Sequence, residues 1–572
     1  MRPAGALRLD HRVNRFEPFP RFFGIEIIKP GRFGHVGCAA KVGRVSSEFE
    51  NFRSRNPVRT SAVVELLPAE RDIRIFQRRA PLSESSMQKH DACIVVVDKE
   101  QAEQRLTKLP YGAAWQRLYR EAKARGPVSI LSARLSADAS PMVVALAKPS
   151  SSAFERLALA TRIWKELAAV SGAKVLLATQ GLDATHSAAM LEALTAAALA
   201  ATAPMPVIKS KTPKAPEPPQ LTLSGDGPDI DTDLSIAIDR GNHLARWLTT
   251  LPPNVLHTAS YRKALRDLAK REGWAFSFLD EKALRKLNAG AFLAVTRANE
   301  HRDAGIVRLR YRANGDAARK KLALVGKGIC FDTGGINLKP HKSMYQMHED
   351  MQGSAVAVGT LLALSRLNVP YDIDCWLAIT ENQIGPNAFR PQEVVRAANG
   401  TTIQVAHSDA EGRMVLADTL TIASREQPDL IIDFATLTGS CVTALTERYC
   451  GAFTNRPEWH GAIESAGRES GERVWPFPMD EDFDSDLESS IADVLQCTPD
   501  SKGDHILAAR FLNRFVPAEI PWIHIDLAAG NRPGGLAHVP TDFTGFGVRY
   551  TAQLLLEQDV LSGGRMKRAR RE

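Results

Sequence analysis

Residues 401–413 have the sequence TTIQVAHSDAEGR, and the rest of the chain is organised around them. The first six residues are β-rich, and a helix-like stretch follows residue 413. Between them, Asp409, Glu411 and Arg413 place two carboxylates and a guanidinium within five consecutive residues. Such crowding is costly unless a cation or a substrate shares the charges. Taken alone, the stretch would indicate a solvated acidic turn with one internal ion pair.

A second stretch of the same character lies upstream. Residues 322–335 read LALVGKGICFDTGG, where an apolar run predicts a buried strand and Lys327 and Asp332 follow that run. In an open α/β sheet, sites form at the carboxyl ends of the strands. We therefore expect Lys327, Asp332 and Asp409 to lie where strands end, at one edge of a sheet.

Two further charged residues, Lys339 and Asp350, lie between these stretches, and Asp350 opens an apolar helical segment. Together the blocks resemble the leucyl aminopeptidase (cytosol aminopeptidase) family of two-metal exopeptidases. That family has a pattern close to NTDAEGRL where this chain has HSDAEGRM at residues 407–414. The spacings of the charged residues match as well, as do residues 380–382 (TEN) and 435–439 (ATLTG). The similarity runs from about residue 230 to residue 560.

The resemblance implies a role for each charged residue. It implies that two divalent metal ions, Mn²⁺ or Zn²⁺, are held by Lys327, Asp332, Asp350, Asp409 and Glu411. Four carboxylates so close together could not all stay ionised without cations of about four charges in total, as two divalent ions provide. A lysine ligand must be neutral, so the metals would have to depress its pKa. The alternative is an ion-pair cluster of the lysine with the acids, which the block spacing makes the lesser interpretation.

The implied reaction is the release of N-terminal amino acids, leucine-like ones preferred, from peptides by a metal-bridged hydroxide. By resemblance, Lys339 polarises the scissile carbonyl, and Arg413 holds a bicarbonate-like anion that passes protons to the leaving amine. Met347, Thr436 and Leu437 match the pocket for the first side chain. For Met347, a core methionine is nearly as good an interpretation.

Length and pattern predict an α/β protein of several domains. The chain has 572 residues, too many for one ordinary domain. Strand-like and helix-like runs alternate from residue 91. We expect a smaller N-terminal α/β domain and a larger catalytic α/β domain, whose mixed and largely parallel sheet is flanked by helices. The predicted segments are a basic, disordered extension (1–86), the N-terminal domain (87–205), a linker (206–228), the catalytic domain (229–562) and a basic tail (563–572).

The formal net charge of +8 is concentrated at the two ends of the chain. Residues 1–86 hold 16 Lys or Arg against nine Asp or Glu, without a helix or strand period. We expect either that translation normally starts at Met87 or that this extension is a disordered appendage dispensable for folding. The alternative is a folded or targeting extension that packs on the body. For the basic tail we favour a frayed, solvated end over a contact with a phosphate backbone.

Two other classes of function stay open at this point. A two-metal hydrolase of another ester or amide, such as a phosphoesterase, could use similar carboxylates. A DNA-binding regulator built on the same scaffold is compatible with the basic ends.

The remaining features favour a cytoplasmic protein. The seven cysteines are scattered without a CxxC pair, which is typical of reduced thiols. No apolar run of 18 or more residues occurs, so we expect no membrane span. The resemblance implies a homohexamer acting on peptide substrates. Residues 497–505 (CTPDSKGDH) depart from the family's glycine-rich stretch, which leaves substrate preference and assembly open.

Histidines play a lesser part in this interpretation. No HExxH motif occurs. His407 precedes Asp409 by two residues, and we favour a turn histidine over a neighbour of the metals. His524 alternates on a predicted strand and is interpreted as structural.

Overall fold

The computed structural model describes residues 65–561 apart from residues 80–81, 135–139, 168–170, 212–213, 316–318 and 501. These residues belong to one compact unit, Ala62–Glu572. Residues 1–64 of the predicted extension and the basic tail lie outside the described residues, so the interpretations that rest on them stay predictions.

The strands of the described residues form three sheets. They are β1 Arg74–Arg78, β2 Ala92–Asp98, β3 Ile130–Ala133, β4 Met142–Ala147, β5 Lys174–Gln180, β6 Gln220–Ser224, β7 Ala275–Asp280, β8 Gly305–Tyr311, β9 Lys321–Asp332, β10 Asp372–Asn382, β11 Val394–Arg396, β12 Thr402–Gln404, β13 Leu430–Ala435, β14 Cys450–Thr454, β15 Val474–Pro476, β16 Val494–Leu495 and β17 Trp522–Asp526.

The helices cover the faces of the two larger sheets. They are α1 Glu84–Met87, α2 Ala102–Thr107, α3 Gly112–Lys123, α4 Ala153–Lys165, α5 Ala184–Ala201, α6 Thr232–Thr250, α7 Thr258–Glu272, α8 Glu281–Lys286, α9 Gly290–Thr296, α10 His341–Met344, α11 Gln352–Arg366, α12 Glu411–Ser424, α13 Gly439–Leu445, α14 His460–Ser470, α15 Asp504–Asn513 and α16 Val548–Leu556.

The N-terminal sheet has six strands in the order β1-β6-β5-β2-β4-β3, parallel except for the β3–β4 pair. Its central strand β2 is buried along its whole length. Alternate residues of that strand face opposite sides, because successive side chains of a strand point to opposite faces. Ile94 and Val96 pack with Leu157 of α4, whereas Val95 packs with Trp115 of α3. Helices therefore cover both faces of this sheet.

Two predicted boundaries are wrong. The predicted extension contains β1, whose five residues each pair with a residue of β6. The predicted linker contains β6, which lies between β1 and β5 in the sheet. Residues 65–86 therefore contribute structure to the N-terminal domain. A chain that began at Met87 would lack an edge strand of its sheet.

The larger sheet has eight strands in the order β15-β14-β17-β13-β9-β10-β8-β7. The four strands β17, β13, β9 and β10 are parallel to one another, and antiparallel strands flank them. Leu322 and Leu324 of β9 pack toward α6, α7, α11 and α16, while Ala323 and Val325 pack toward α9, α12 and α15. This mixed, largely parallel sheet between helical layers confirms the predicted α/β fold class.

Close helix–sheet packing at the centre depends on small residues. A Cβ on Gly353 of α11 would lie 2.1 Å from the Phe434 carbonyl oxygen, and one on Gly326 of β9 would lie 2.5 Å from the Ser354 Cα. Only glycine lets the start of α11 approach the sheet this closely. The start of α11 is where the candidate site lies.

Two polar contacts join the N-terminal domain to the larger domain. Arg549 of α16 donates from Nη2 to Glu192 Oε1 of α5 at 2.7 Å. Arg71, ahead of β1, forms an ion pair with Asp239 of α6, and both side chains are only 6% exposed. Because this pair is buried, the segment before β1 is anchored to the larger domain as well as to its own sheet.

Candidate metal centre

Three carboxylates from different elements converge beside the start of α11. Asp332 is the last residue of β9, Asp350 lies in the 3₁₀ turn Met347–Met351 that leads into α11, and Glu411 is the first residue of α12. One oxygen from each lies within 4.8 Å of the others, and all three residues are buried. Of these three predicted ligands, Asp332 ends a strand as expected, and the turn before α11 and the start of α12 bring the other two beside it.

Lys327 lies among these acids, although it does not follow a strand as expected. Strand β9 continues past it to Asp332, so Lys327 projects from within the strand. Its Nζ lies 2.8 Å from Asp350 Oδ1 and 3.0 Å from Glu411 Oε1, and it donates to the Thr436 carbonyl oxygen at 2.9 Å. A Cβ at Gly412 would lie 2.7 Å from Lys327 Nζ. The glycine of the 409–413 stretch is therefore needed to leave room for the lysine.

A second lysine neutralises the other side of the cluster. Lys339 Nζ lies 2.8 Å from Asp332 Oδ2 and 2.6 Å from Asp409 Oδ1. Asp409 sits in the loop between β12 and α12, several residues beyond the strand end where it was expected. Its side chain is 27% exposed, more than the other three acids. The loop nonetheless carries it to the same cluster.

Asn382 is a member of the site to which the sequence analysis gave no role. It ends β10, the neighbour of β9, and its Nδ2 donates to Asp332 Oδ1 at 2.9 Å, with Glu411 Oε2 at 3.3 Å. The signal available in the sequence was its place in the 380–382 block at a strand end. By contacting two of the acids, its amide fixes their side chains relative to each other.

The electrostatics of the cluster favour an added cation. Burial, followed by the charge of Asp332, raises the pKa of Glu411 to about 8. Burial likewise raises the pKa of Asp350 to about 6. For Lys327 burial alone would lower the pKa, but the charges of Asp350 and Glu411 outweigh it and raise the pKa. Ionising all four acids would place four negative charges beside only two lysines, so an added cation would stabilise the ionised carboxylates.

The residues present fit a pair of divalent cations. Asp350 Oδ2 is buried and accepts no hydrogen bond from the described residues, which leaves this oxygen available to a cation. Carboxylate oxygens with one amine nitrogen suit Zn²⁺ or Mn²⁺ and do not choose between them. Lys327, Asp332, Asp350, Asp409 and Glu411 together offer enough donor atoms for two ions.

The cluster opens into a cavity of about 1140 Å³. All three residues predicted for substrate binding, Met347, Thr436 and Leu437, line it. Thr436 also donates from Oγ1 to Asp350 Oδ1 at 2.7 Å, so it joins the cavity wall to the acids. Met347 is half-buried on this wall rather than enclosed in the core.

The predicted bicarbonate does not fit this structure. Arg413 is buried in the first turn of α12, and its Nη2 donates to Asp504 Oδ1 at 2.9 Å and to Asp504 Oδ2 at 2.7 Å. The guanidinium predicted to hold a free anion is thus already paired with a carboxylate of the chain. Nothing in the sequence pattern pointed to Asp504, which lies 91 residues from Arg413 in the departing stretch 497–505.

The two histidines considered from sequence lie outside the acid cluster. His407 is exposed, and its Nδ1 accepts from the Asp409 backbone amide at 3.2 Å, as a turn histidine does. His524 is buried in β17, and its Nδ1 lies 2.6 Å from Asp433 Oδ1 on the adjacent strand. It therefore belongs to the interior of the sheet.

Comparison with known proteins gives a consistent family. Residues 243–552 match the model described as "Cytosol aminopeptidase family, catalytic domain". A probable cytosol aminopeptidase of Desulfovibrio desulfuricans is 38% identical over 327 residues, which are 56% of this chain and 65% of that protein. Another from Corynebacterium diphtheriae is 39% identical over 54% of this chain and 62% of that protein. The chain thus aligns with slightly less than two thirds of the length of these relatives.

Solved structures extend the similarity to the N-terminal domain. A cytosol aminopeptidase from Coxiella burnetii is 25% identical with a TM-score of 0.69, covering 85% of this chain and 99% of that one. The bottromycin maturation enzyme BotP, solved in complex with Mn, is 27% identical with a TM-score of 0.66, covering 81% and 98%. Both sheets of this protein therefore have counterparts in proteins of known structure.

Proposed function

Because the chain belongs to the cytosol aminopeptidase family, we propose that it is a metal-dependent aminopeptidase that removes N-terminal residues from peptides. The observation that carries this proposal is the convergence of Asp332, Asp350 and Glu411 within 4.8 Å at the head of a solvent-open cavity. Lys327 and Asp409 adjoin the three acids. BotP, a protein of similar fold, was solved in complex with Mn, which supports a metal-dependent activity for this chain.

The chain's own residues divide into three groups under this proposal. The first, Lys327, Asp332, Asp350, Asp409 and Glu411, would hold two divalent ions. Such ions polarise a carbonyl and lower the pKa of water near them. The second group is Lys339 alone. It lines the cavity next to Asp332 and Asp409, so its ammonium can donate to the oxygen of the scissile carbonyl as negative charge develops there.

The third group, Met347, Thr436 and Leu437, lines the cavity in which the substrate would bind. An exopeptidase of this kind must recognise the free α-amine, and a cation held by the carboxylates at the head of the cavity could take the neutral amine nitrogen as a ligand. Met347 and Leu437 add apolar surface to the lining, which favours a leucine-like first side chain. The wall residues Thr436 and Leu437 follow β13 directly, so the sheet fixes their position relative to the acids.

The proposal is tested by hydrolysis of Leu-p-nitroanilide before and after dialysis against a strong chelator. Activity should be lost with the metal and return with Mn²⁺ or Zn²⁺. N-acetyl-Leu-p-nitroanilide is the matched control substrate, because its blocked amine should abolish turnover. Full activity of protein shown to be metal-free would contradict the proposal. Turnover of p-nitrophenyl phosphate instead would favour the two-metal phosphoesterase.

Assembly and location are parts of the same proposal. We propose a homohexamer on the basis of the family resemblance, and light scattering on the purified protein measures the assembly mass directly. Within the described part of the chain, no helix combines the length and the apolar character needed to cross a bilayer. The relatives are named as cytosol enzymes, and we propose the cytoplasm for this chain.

A further inference from the structure

The wall of the cavity contains a buried cation whose charge is offset by a carboxylate from another helix. Arg413 is 2% exposed, and its Nη2 donates to both carboxylate oxygens of Asp504, while its Nη1 donates to the Gln496 carbonyl at 3.1 Å. The Asp504 side chain is 18% exposed and lines the cavity. One side of this carboxylate therefore faces the guanidinium and the other can reach the cavity.

The backbone brings this pair to the metal centre. Arg413 follows Glu411 by two residues in the first turn of α12. Asp504 is the first residue of α15, directly after Gly503, whose φ of 61° lies in the left-handed region that favours glycine. A carboxylate in the first turn of a helix is also favoured by the helix dipole. The backbone at the start of α15 therefore fixes where the Asp504 carboxylate lies.

A free anion cannot take this position while Asp504 holds it. Bicarbonate and an aspartate carboxylate present the same charge and a similar pair of oxygens, and Nη2 of Arg413 already donates to both oxygens of Asp504. Binding bicarbonate would also place a second negative charge beside the first. The chain therefore carries as a side chain what a bound anion would otherwise supply.

We propose that Asp504 is the proton carrier of the reaction and that this protein works without bicarbonate; the inference rests on the aminopeptidase activity proposed above. The Asp504 carboxylate takes a proton from the attacking water as the bond forms between the water oxygen and the carbonyl carbon. The resulting carboxylic acid then gives that proton to the peptide nitrogen as the carbon–nitrogen bond breaks. Asp504 ends ionised, and one water is consumed for each residue released.

Several other acid–base groups of the lining are engaged away from the reaction, as Glu349 is, whose Oε2 accepts from Asn531 Nδ2 at 2.7 Å. The four acids of the cluster would be held by the cations. Asp526 accepts from Thr438 Oγ1 at 2.7 Å and from the Leu437 amide at 3.2 Å. His505 Nδ1 lies 3.1 Å from Ser440 Oγ. Asp504 combines a fixed position, a cationic partner that steadies its charge and an open side toward the cavity.

Three variants test the proposal with Leu-Gly as substrate, because its amine leaving group needs a proton. In carbonate-free buffer, Asp504→Ala should lower kcat by on the order of 10²–10³, within the range of general acid–base catalysis, and added bicarbonate or formate should restore at least tenfold. Asp504→Asn keeps the size and can still accept from Arg413, so it should fold, lose as much kcat and gain nothing from either anion. Asp484→Ala is the matched control. Asp484 pairs at 2.6 Å with Arg510, which lies in α15 as Asp504 does, but Asp484 is not part of the cavity lining.

A binding measurement gives a result independent of turnover. Titration calorimetry of sodium bicarbonate into the metal-loaded proteins should show a binding event in Asp504→Ala that is missing from the wild type. Wild-type activity that falls in carbonate-free buffer and returns with bicarbonate would overturn the inference. It would also be overturned if folded Asp504→Asn had the same kcat as an active wild type. A metal-loaded wild type inactive on all free peptides would instead overturn the proposed function, and this inference with it.

Discussion

Replacing Lys339 by methionine should separate chemistry from metal binding. The change removes the ammonium and keeps the length of a side chain that is 14% exposed and lines the cavity. In this structure the ammonium lies 2.8 Å from Asp332 Oδ2 and 2.6 Å from Asp409 Oδ1. Two bound cations would take over the neutralisation of these acids and leave the ammonium free to donate to substrate.

The expected loss follows from that donation. Loss of one donor to a developing oxyanion costs about 2.7–4 kcal/mol of transition-state stabilisation, which lowers kcat by on the order of 10²–10³. KM should change little, because the interaction strengthens only as the carbonyl oxygen gains charge. Metal occupancy should be kept, since removing a positive charge from beside the ligands cannot repel a cation.

The assay measures kcat and KM on Leu-p-nitroanilide together with metal content by mass spectrometry. Lys342→Met is the matched control, because Lys342 is an exposed lysine three residues further on, in α10, and is not part of the cavity lining. An unchanged kcat in Lys339→Met would refute the role given to Lys339. A fall in kcat that only parallels a fall in metal content would assign the residue to metal binding instead.

Two further predictions concern metal retention and the N-terminal segment. Asp332→Ala should lose bound metal and activity together, because it removes one of three buried acids whose oxygens lie within 4.8 Å of one another. Full metal content in the variant would contradict this prediction. Arg71→Met should destabilise the protein by on the order of 3–5 kcal/mol, because it leaves Asp239 buried without its partner. Thermal unfolding checks this, with Arg74→Met of the exposed Asp72 pair as control, and an unchanged Tm would mean that the buried Arg71–Asp239 pair contributes nothing to stability.

The acid cluster could be predicted because its members lie in sequence blocks that resemble those of the cytosol aminopeptidase family, and the resemblance implied the whole set of five residues. The residues alone placed only Lys327, Asp332 and Asp409 where strands end, at the edge that the carboxyl ends of parallel strands share. Of these three, only Asp332 ends a strand in the structure. The end of β9 could not be predicted, because the strand runs past Lys327 to Asp332 and no local signal marks its last residue.

Strands β1 and β6 of the N-terminal sheet could not be predicted, because the local sequence of neither one marks it as a strand. Strand β1 (RIFQR) alternates half-buried and exposed positions, so it lacks the continuous apolar run of β2. Strand β6 follows directly on a proline-rich segment typical of a linker. Strand β1 pairs only with β6, and β6 pairs with both β1 and β5, through partners such as Arg74 and Gln220 that lie far apart in sequence. Such pairing is a tertiary property that local composition does not contain.

Charge balance ties the Arg413–Asp504 pair to the rest of the site. With two divalent ions bound and Lys327 neutral as a ligand, the four cluster acids offset the metal charge and leave the ammonium of Lys339 and the guanidinium of Arg413. Asp504 cancels one of these two charges, which leaves a single surplus positive charge within this set of residues. The oxyanion of the transition state supplies one negative charge. Without Asp504 the same site would carry a further positive charge and would have to recruit an anion from solution. The carboxylate at residue 504 therefore has an electrostatic reason to accompany Arg413, and its replacement by alanine should create a demand for an external anion that the wild-type protein does not have.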